Sequence, residues 1–161
     1  MAISIRRITA ADGDLLRRVR LAALLDTPSA FAKTHEEESA YPQTLWDDRA
    51  RDNAEGSDHT TFFAFDGERC VGLVGGHATD AGVDLVSMWT DPSARGQGIG
   101  AALVDAVVDW AGDRPVELWV TRGNDGAQRL YERCGFVETG DVAPLPSDPC
   151  KDEVRMRRVP A

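Results

Sequence analysis

Apolar residues recur along the chain with two different periods, and these periods predict where strands and helices lie. Residues 3–8 alternate between apolar and polar positions, which is typical of a strand with one buried face. Residues 12–25 place apolar side chains at every third or fourth position, which predicts an amphipathic helix. Two further apolar runs, residues 60–65 and 69–77, flank Asp66-Gly67, a dipeptide that favours the tight turn of a hairpin.

The most apolar run, residues 83–90, leads into a glycine-rich loop and a second amphipathic helix. It carries few polar side chains, which suits a largely buried strand, and Asp91-Pro92 ends it because proline cannot donate a ladder hydrogen bond. Apolar positions then recur at helical spacing over residues 99–110, and residues 116–120 predict another strand. This order predicts one α/β domain over residues 1–161, with a sheet of mixed direction.

The loop between that strand and helix has the composition of an anion-binding site. Its sequence is Arg95-Gly96-Gln97-Gly98-Ile99-Gly100, and glycines let main-chain N–H groups turn toward one ligand. The following helix adds its unpaired first-turn N–H groups and the positive end of its dipole. Arg95 adds a positive charge. We therefore predict a phosphate site here rather than a plain strand-to-helix turn.

Two other phosphate loops fit this stretch less well. A Walker A loop needs lysine and then serine or threonine after its last glycine, where Ala101 and Ala102 stand. Gly96, Gly98 and Ala101 formally match a dinucleotide fingerprint, but that fingerprint normally occupies the first strand–helix turn of its domain. A dinucleotide-dependent oxidoreductase therefore stays only as a minor alternative.

The loop and a later helix together resemble the GCN5-related N-acetyltransferase (GNAT) family. Arg-x-x-Gly-x-Gly/Ala after an apolar strand looks like that family's acetyl-CoA loop. Further on, Asn124 and the run from Ala127 through Tyr131 to Gly135-Phe136 are similar to its Asn…Ala-x-x-x-Tyr-x-x-x-Gly-Phe signature. The resemblance implies an α/β fold with a mixed, mostly antiparallel sheet of about six to seven strands. About four helices would flank this sheet, which would be splayed at its central strand.

The resemblance also implies an acyltransferase that moves an acetyl group from acetyl-CoA directly to a primary amine in a ternary complex. Main-chain N–H groups of the loop would hold the pyrophosphate. Met88 and Thr90 would supply main-chain hydrogen bonds to the pantetheine arm, and a Met88 or Trp89 amide would polarise the acetyl carbonyl. Asn124 would bind the pantetheine arm or a nearby water; capping of the following helix is its alternative role. The expected cofactor-binding residues are Met88, Trp89, Thr90, Arg95, Gly96, Gln97, Gly98, Ile99, Gly100 and Asn124.

Two residues are the candidates for proton transfer. Tyr131 would be the general acid, since a phenol with a pKa near that of a thiol can protonate the leaving thiolate. Its alternative is a core tyrosine, because it shares one helical face with Ala127 and Leu130. Asp84 stands where the family commonly has a basic carboxylate, and its shorter side chain favours a bridging water. A turn residue after a glycine is its alternative, and His77 is the second candidate base.

The acceptor amine would bind among irregular segments, where the sequence indicates least. Residues 28–43 show no clear period, and in the family this region covers the acceptor pocket. The candidate contacts, besides His77, are Phe31, His35, Glu37 and Tyr41. An acidic run such as residues 36–38 is usually a solvated face, which is the alternative to a role in acceptor binding. Residues 140–151, rich in proline and polar side chains, predict a surface loop between strands at residues 136–139 and 153–159.

Composition limits the partners. The chain has 18 Lys and Arg against 27 Asp and Glu, a formal charge of −9, which argues against nonspecific nucleic-acid binding. This charge would mildly favour a cationic amine, and its alternative role is solubility alone. No apolar run has transmembrane length and no signal segment is recognisable, so no membrane association is expected. Cys70, Cys134 and Cys150 are scattered and lack metal-ligand spacing. We therefore expect a reduced, cytoplasmic protein that uses no metal.

Three questions stay open at this point. A CoA-binding sensor or regulatory module would keep the same fold without turnover, although Tyr131 and Asn124 favour an enzyme. A homodimer is common in the family, but the sequence does not indicate one. The identity of the acceptor is not readable from the motifs.

Overall fold

The fold is described from a computed structural model that covers residues 2–160. Seven strands form one sheet, and their bounds are β1 Ile3–Arg7, β2 His59–Asp66, β3 Arg69–Thr79, β4 Gly82–Thr90, β5 Val116–Thr121, β6 Val137–Leu145 and β7 Asp148–Arg158. Five α-helices accompany it, with bounds α1 Gly13–Asp26, α2 His35–Ser39, α3 Gln43–Ala54, α4 Ile99–Ala111 and α5 Asp125–Arg133. Short 3-10 turns follow α1 and β4.

The strands lie in the order β1-β2-β3-β4-β5-β7-β6. Every neighbouring pair is antiparallel except β4 and β5, which run parallel. This confirms the predicted α/β fold with a mixed, mostly antiparallel sheet. The strand number is the upper predicted value, and the described helices number five rather than about four.

Two apolar layers cover the two faces of the sheet. On one face α4 packs through Leu103 and Val107, which are buried with Leu118 and Met156 of the sheet. On the other face α1 and α3 pack through a cluster that includes Trp46. Full burial of a large apolar side chain contributes about 1.5–3 kcal/mol, so these layers hold the sheet between its helices. The sheet therefore has an α4 face and an α1–α3 face.

Two sequence predictions about local structure were wrong. Residues 140–151 do not form a loop, because β6 and β7 make a hairpin through most of them. Pro144 is tolerated because β6 is the edge strand, where one side of the backbone lacks a partner. Residues 28–43 contain α2, whose N-cap Thr34 accepts a hydrogen bond from the Glu37 main-chain N–H at 3.1 Å.

Among the described residues, no helix combines the length and the apolar character needed to cross a membrane.

Candidate active site

A slot opens where β4 and β5 separate. Their parallel ladder holds only two residue pairs, Val83 with Val116 and Asp84 with Glu117, although both strands continue beyond them. The gap forms a cavity of about 100 Å³ between the two strands and α5. This is the splay predicted for the central strand. The lining residues are Ala30, Leu85, Val86, Ser87, Met88, Leu118, Trp119, Val120, Thr121, Asn124, Ala127, Leu130 and Tyr131.

A bulge in β4 borders the slot. Val86 pairs with Gly75 and Trp89 with Leu73, so two residues of β4 oppose the single intervening residue of β3. One of these two, Ser87, has a φ of +62°, the only positive φ recorded for a non-glycine residue in the described chain. Such a backbone costs roughly 1–2 kcal/mol, so surrounding contacts must hold it in place.

Beyond the bulge, β4 turns main-chain groups toward the slot. The Asp91 N–H donates to the Val71 carbonyl at 2.8 Å, and alternate residues of an antiparallel strand face opposite neighbours. Thr90 therefore directs its main-chain groups away from β3, as its carbonyl shows by accepting from Arg95 Nε at 3.0 Å. By the same alternation, Met88 faces the slot. Met88 and Thr90 thus leave main-chain groups open for the predicted hydrogen bonds to a ligand. Trp89, in contrast, is paired with Leu73 and turns its N–H toward β3, so the predicted polarisation of the acetyl carbonyl falls to Met88.

The glycine-rich loop leads directly into α4. Gly96 and Gly98 have φ values of +81° and +80°, and an added Cβ at either position would meet no atom within 4 Å. Gly98 is the N-cap and has no side chain to cap the first turn. The N–H groups of that turn are therefore left for a ligand or solvent. Gln97 is exposed beside them, whereas Ile99 is buried and anchors the helix in the core.

Gly100 and Arg95 have structural contacts of their own. An added Cβ at Gly100 would lie 2.8 Å from Leu130 Cδ2, so this glycine lets α4 and α5 approach each other. The Arg95 guanidinium pairs with Asp26 at the end of α1, and Trp89 Nε1 donates to the same carboxylate at 3.0 Å. The Trp89 indole N–H, aided by Thr27 and Arg95, holds the pKa of Asp26 below its ordinary value. Arg95 thus directs its charge toward α1.

Tyr131 lies in the wall of the slot and is only 6% exposed. Its ring packs edge-on against Phe136, with the centroids 5.9 Å apart. Burial, with a smaller contribution from the nearby Cys134 thiol, raises the pKa of the Tyr131 phenol. The phenol stays protonated at neutral pH, but its raised pKa lies further from that of a thiol, so it is a weaker acid toward a thiolate than an exposed tyrosine would be. Asn124, also in the wall, caps α5 by accepting from the Ala127 N–H at 3.4 Å, which leaves its amide nitrogen for another partner.

A larger cavity of about 420 Å³ lies on the α1–α3 face of the sheet. A smaller one of about 180 Å³ lies beside it, and Val86 and Ser87 line both cavities as well as the slot. The three spaces thus meet at the β4 bulge. The large cavity is lined by Leu16, Arg20, Lys33, Glu38, Trp46, Arg49, Asp52, Asn53, His59, Thr60, Thr61, Leu73, Gly75, Gly76, His77, Val86 and Ser87.

Asp84 lies on the same face and has two neighbours. Arg155 donates to its Oδ1 at 2.7 Å and also pairs with Glu117. The other carboxylate oxygen lies 3.7 Å from His77 Nε2, across the β3–β4 ladder. His77 is half-exposed and lines the large cavity, whereas Asp84 lines the smaller one. The two candidate bases therefore form one pair rather than separate sites.

The predicted acceptor contacts divide into two groups. His77 lines the large cavity, and Phe31 lines the smaller one beneath the Arg20 guanidinium, 4.7 Å from its ring centroid. His35, Glu37 and Tyr41 do not line the three spaces. For Glu37 the reason is its exposed position on α2, where it pairs with Lys33 at 3.9 Å.

Sequence reasoning missed the charged residues that do border the large cavity. Glu38 is 2% exposed and accepts from Arg20 Nε and Nη2 at 3.1 and 2.9 Å. Arg20 Nη1 donates at 2.9 Å to Ser87 Oγ. A signal existed in α1, because Arg20 stands four residues from both Leu16 and Leu24 and so shares their buried face.

Comparison with known proteins identifies the family. Residues 21–136 match the model of the Acetyltransferase (GNAT) family, which covers more than half of the chain. The chain therefore belongs to the GNAT family, as the sequence motifs predicted.

Two curated relatives match parts of the chain. An uncharacterized N-acetyltransferase of Methanocaldococcus jannaschii is 43% identical over 58 residues, which are 34% of this chain and 26% of the relative. A mycothiol acetyltransferase of Geodermatophilus obscurus is 38% identical over 122 residues, 67% of this chain and 38% of the relative. The chain thus spans well under half of the length of either.

Solved structures share the whole fold. The crystal structure of a GNAT-family acetyltransferase from Streptococcus pneumoniae superposes with a TM-score of 0.77 at 19% identity, covering 99% of this chain and 100% of that one. Spermidine N-acetyltransferase from Vibrio cholerae, in complex with CoA and spermine, gives a TM-score of 0.72 at 19% identity, with coverages of 98% and 95%. At these identities the likeness concerns the fold alone.

Proposed function

We propose that this chain is an acetyl-CoA-dependent N-acetyltransferase that transfers the acetyl group directly to a primary amine. The observation that carries the proposal is the meeting of the slot and the large cavity at Ser87. A thioester arm in the slot and an amine in the cavity would approach each other from opposite sides of the bulge. No side chain would need to carry the acetyl group between them.

The slot suits an extended arm that ends in a diphosphate. The main-chain groups of Met88 and Thr90 would hydrogen-bond that arm along the open edge of β4. At its other end, the N–H groups around Gly96, Gly98 and the first turn of α4 would hold the diphosphate. Solved relatives with bound CoA, such as the one from Vibrio cholerae, support acetyl-CoA as the co-substrate.

Proton transfer would involve both sides of the bulge. Asp84, directly or through water or His77, would take the proton from the ammonium of the acceptor. The amine nitrogen would then attack the acetyl carbonyl, which the Met88 N–H would polarise. As the carbon–nitrogen bond forms and the carbon–sulfur bond breaks, Tyr131 would give its proton to the departing thiolate. The second proton that the nitrogen loses as the amide forms would return through water to the Tyr131 phenolate.

Release of the CoA thiol tests this proposal. The enzyme is mixed with acetyl-CoA and a panel of primary amines, and mass spectrometry follows the acetylated products. Stoichiometric thiol and N-acetyl product would support it. Binding of acetyl-CoA without transfer to any amine would instead favour the sensor, and binding of NAD(P)H in place of acetyl-CoA would favour the oxidoreductase.

Location and assembly remain proposals as well. We propose that the enzyme is cytoplasmic, uses no metal and acts on a small-molecule or protein amine. We also propose that it can form a homodimer. Chromatography with light scattering would measure the assembly state.

A further inference from the structure

We propose that the acceptor is a small primary amine that also carries a carboxylate, and that Arg49 and Trp46 recognise this carboxylate in the large cavity. The inference rests on the proposed function, since it names the substrate of the same site. Net charge alone favours the opposite class, a cationic amine. The decisive features are the local charges and the unpaired donors of the cavity wall.

The floor of the cavity is open because Gly75 has no side chain. An added Cβ there would lie 3.1 Å from Val86 Cγ2, so a larger residue would crowd the space directly beside the bulge. The volume of about 420 Å³ falls within the range of small-molecule sites. A small amine can therefore lie on the sheet with its nitrogen toward Ser87 and its remaining groups toward α3.

The acidic residue in the deep wall cannot serve a second ammonium group. Glu38 is buried, and Arg20 occupies both of its carboxylate oxygens. Its charge is thus compensated before any ligand enters. The other carboxylate of the lining, Asp52, is exposed at the rim. A polyamine would therefore find no unpaired buried carboxylate for its distal ammonium.

At the end of the cavity next to α3, in contrast, hydrogen-bond donors outnumber acceptors. Trp46 Nε1 is buried and has no hydrogen-bond partner within the described residues, and the indole lines the cavity. An indole N–H can only donate, so the group that satisfies it must be an acceptor. Leaving such a donor unsatisfied is costly in a buried site. The indole is 0% exposed, so an acceptor atom of a ligand reaches this nitrogen only if the side chains that cover it move aside on binding.

Arg49 supplies the charge beside that donor. Its guanidinium lies 5.2 Å from the ring centroids of both Tyr41 and Trp46, and its side chain is 42% exposed. The nearest carboxylate oxygen, Glu38 Oε1, is 3.8 Å away, beyond hydrogen-bond distance. Within residues 2–160 it makes no side-chain hydrogen bond that competes with a ligand. A planar guanidinium with unpaired N–H groups matches a carboxylate.

The charges of the whole lining agree with this assignment. Once the Arg20–Glu38 and Lys33–Glu37 pairs are set aside, one permanent cation and one exposed carboxylate remain, together with two histidines. These groups are Arg49, Asp52, His59 and His77. The cavity therefore presents a neutral to positive surface in a protein whose overall charge is strongly negative.

A matched amine series tests the proposal. Alpha- and omega-amino acids are compared with their methyl esters and with diamines of the same chain length, using kcat/KM for acetyl transfer. We expect at least one amino acid to exceed its ester and diamine by about tenfold or more, the usual effect of a hydrogen bond to a charged group. Equal or better turnover of esters, diamines or peptide amines would overturn the inference while keeping the proposed function.

Variants of α3 assign the effect to Arg49. Arg49→Gln is expected to raise KM for the amino acid about tenfold or more and to leave the KM of the ester unchanged. Arg49→Lys should restore part of the preference. Arg51→Gln is the matched control, because Arg51 lies on the same helix but pairs with exposed Asp48. Unchanged amino-acid KM in Arg49→Gln would contradict the assignment.

Binding measurements separate the two proposals if no amine is acetylated. The shift in Tm caused by each amine is then measured in the presence of CoA. If amino acids raise the Tm and this effect is lost in Arg49→Gln, the carboxylate site is supported, while the lack of turnover rejects the proposed enzyme activity. Absence of both turnover and amino-acid binding would reject both proposals.

Discussion

Arg20 and Ser87 join the first helix to the bulge of the central strand, with Arg20 Nη1 donating to Ser87 Oγ at 2.9 Å. The same guanidinium binds buried Glu38 of α2. Ser87 has a positive φ, so the bulge needs support from its surroundings. Arg20 supplies that support at the point where the slot and the large cavity meet.

The Arg20–Glu38 pair gives the first prediction. Both side chains are largely buried, at 13% and 2% exposure, so Arg20→Met should destabilise the protein by about 3 kcal/mol, because Glu38 would lose both of its hydrogen bonds and keep only the more distant charge of Arg49 at 3.8 Å. Urea unfolding measures this loss. The double variant Arg20→Met/Glu38→Leu should recover most of it, since it removes both charges. If the double variant were as unstable as the single one, the loss would come from packing rather than charge.

The central strand, the loop and the helix after it could be predicted from the sequence because their signals are local. The predicted strand at residues 83–90 and helix at 99–110 differ from β4 and α4 by single residues at the ends. Apolar period, proline and glycine act within a few residues of one another, so no distant contact is needed to interpret them.

The acceptor side could not be predicted in the same way. Glu37 and Glu38 are indistinguishable by type, and only the position of Arg20 on α1 decides which of them is buried. The unsatisfied nitrogen of Trp46 depends on what surrounds it in three dimensions, which no local pattern indicates. The β6–β7 hairpin was missed because its prolines suggested a loop, whereas Pro144 lies on the edge strand and Pro146 in the turn, where both are tolerated.

The glycine loop gives the second prediction. Gly98→Val should weaken acetyl-CoA binding by about tenfold or more, because a branched side chain at a φ of +80° strains the N-cap and crowds the presented N–H groups. Calorimetry measures the Kd. Gly112→Val is the matched control, since Gly112 also has a positive φ and open surroundings but lies at the other end of α4. Equal loss of affinity in both variants would indicate general unfolding rather than a phosphate site.

The candidate base gives the third prediction. Asp84→Asn should lower kcat by about 100-fold or more while the Kd for acetyl-CoA changes little, because an amide cannot accept the proton. Glu117→Gln is the control, as Glu117 shares the partner Arg155 but lies outside the lining of the three spaces. A comparable loss in Glu117→Gln would mean that Asp84 acts through the position of Arg155. His77→Gln, measured beside them, shows whether the proton passes through the imidazole.

The fourth prediction concerns Tyr131. Tyr131→Phe should lower kcat by about tenfold or more with little change in the Kd for acetyl-CoA, because it removes the proton donor and preserves the packing against Phe136. Burial raises the pKa of the phenol, so the acid form persists as the pH rises and Tyr131 should cause no loss of kcat between about pH 6 and 9. A pH profile of kcat tests this directly. If the kcat of the wild-type enzyme falls in that range and this fall disappears in Tyr131→Phe, the phenol ionises there. If kcat is unchanged in the variant, Tyr131 has no part in the mechanism.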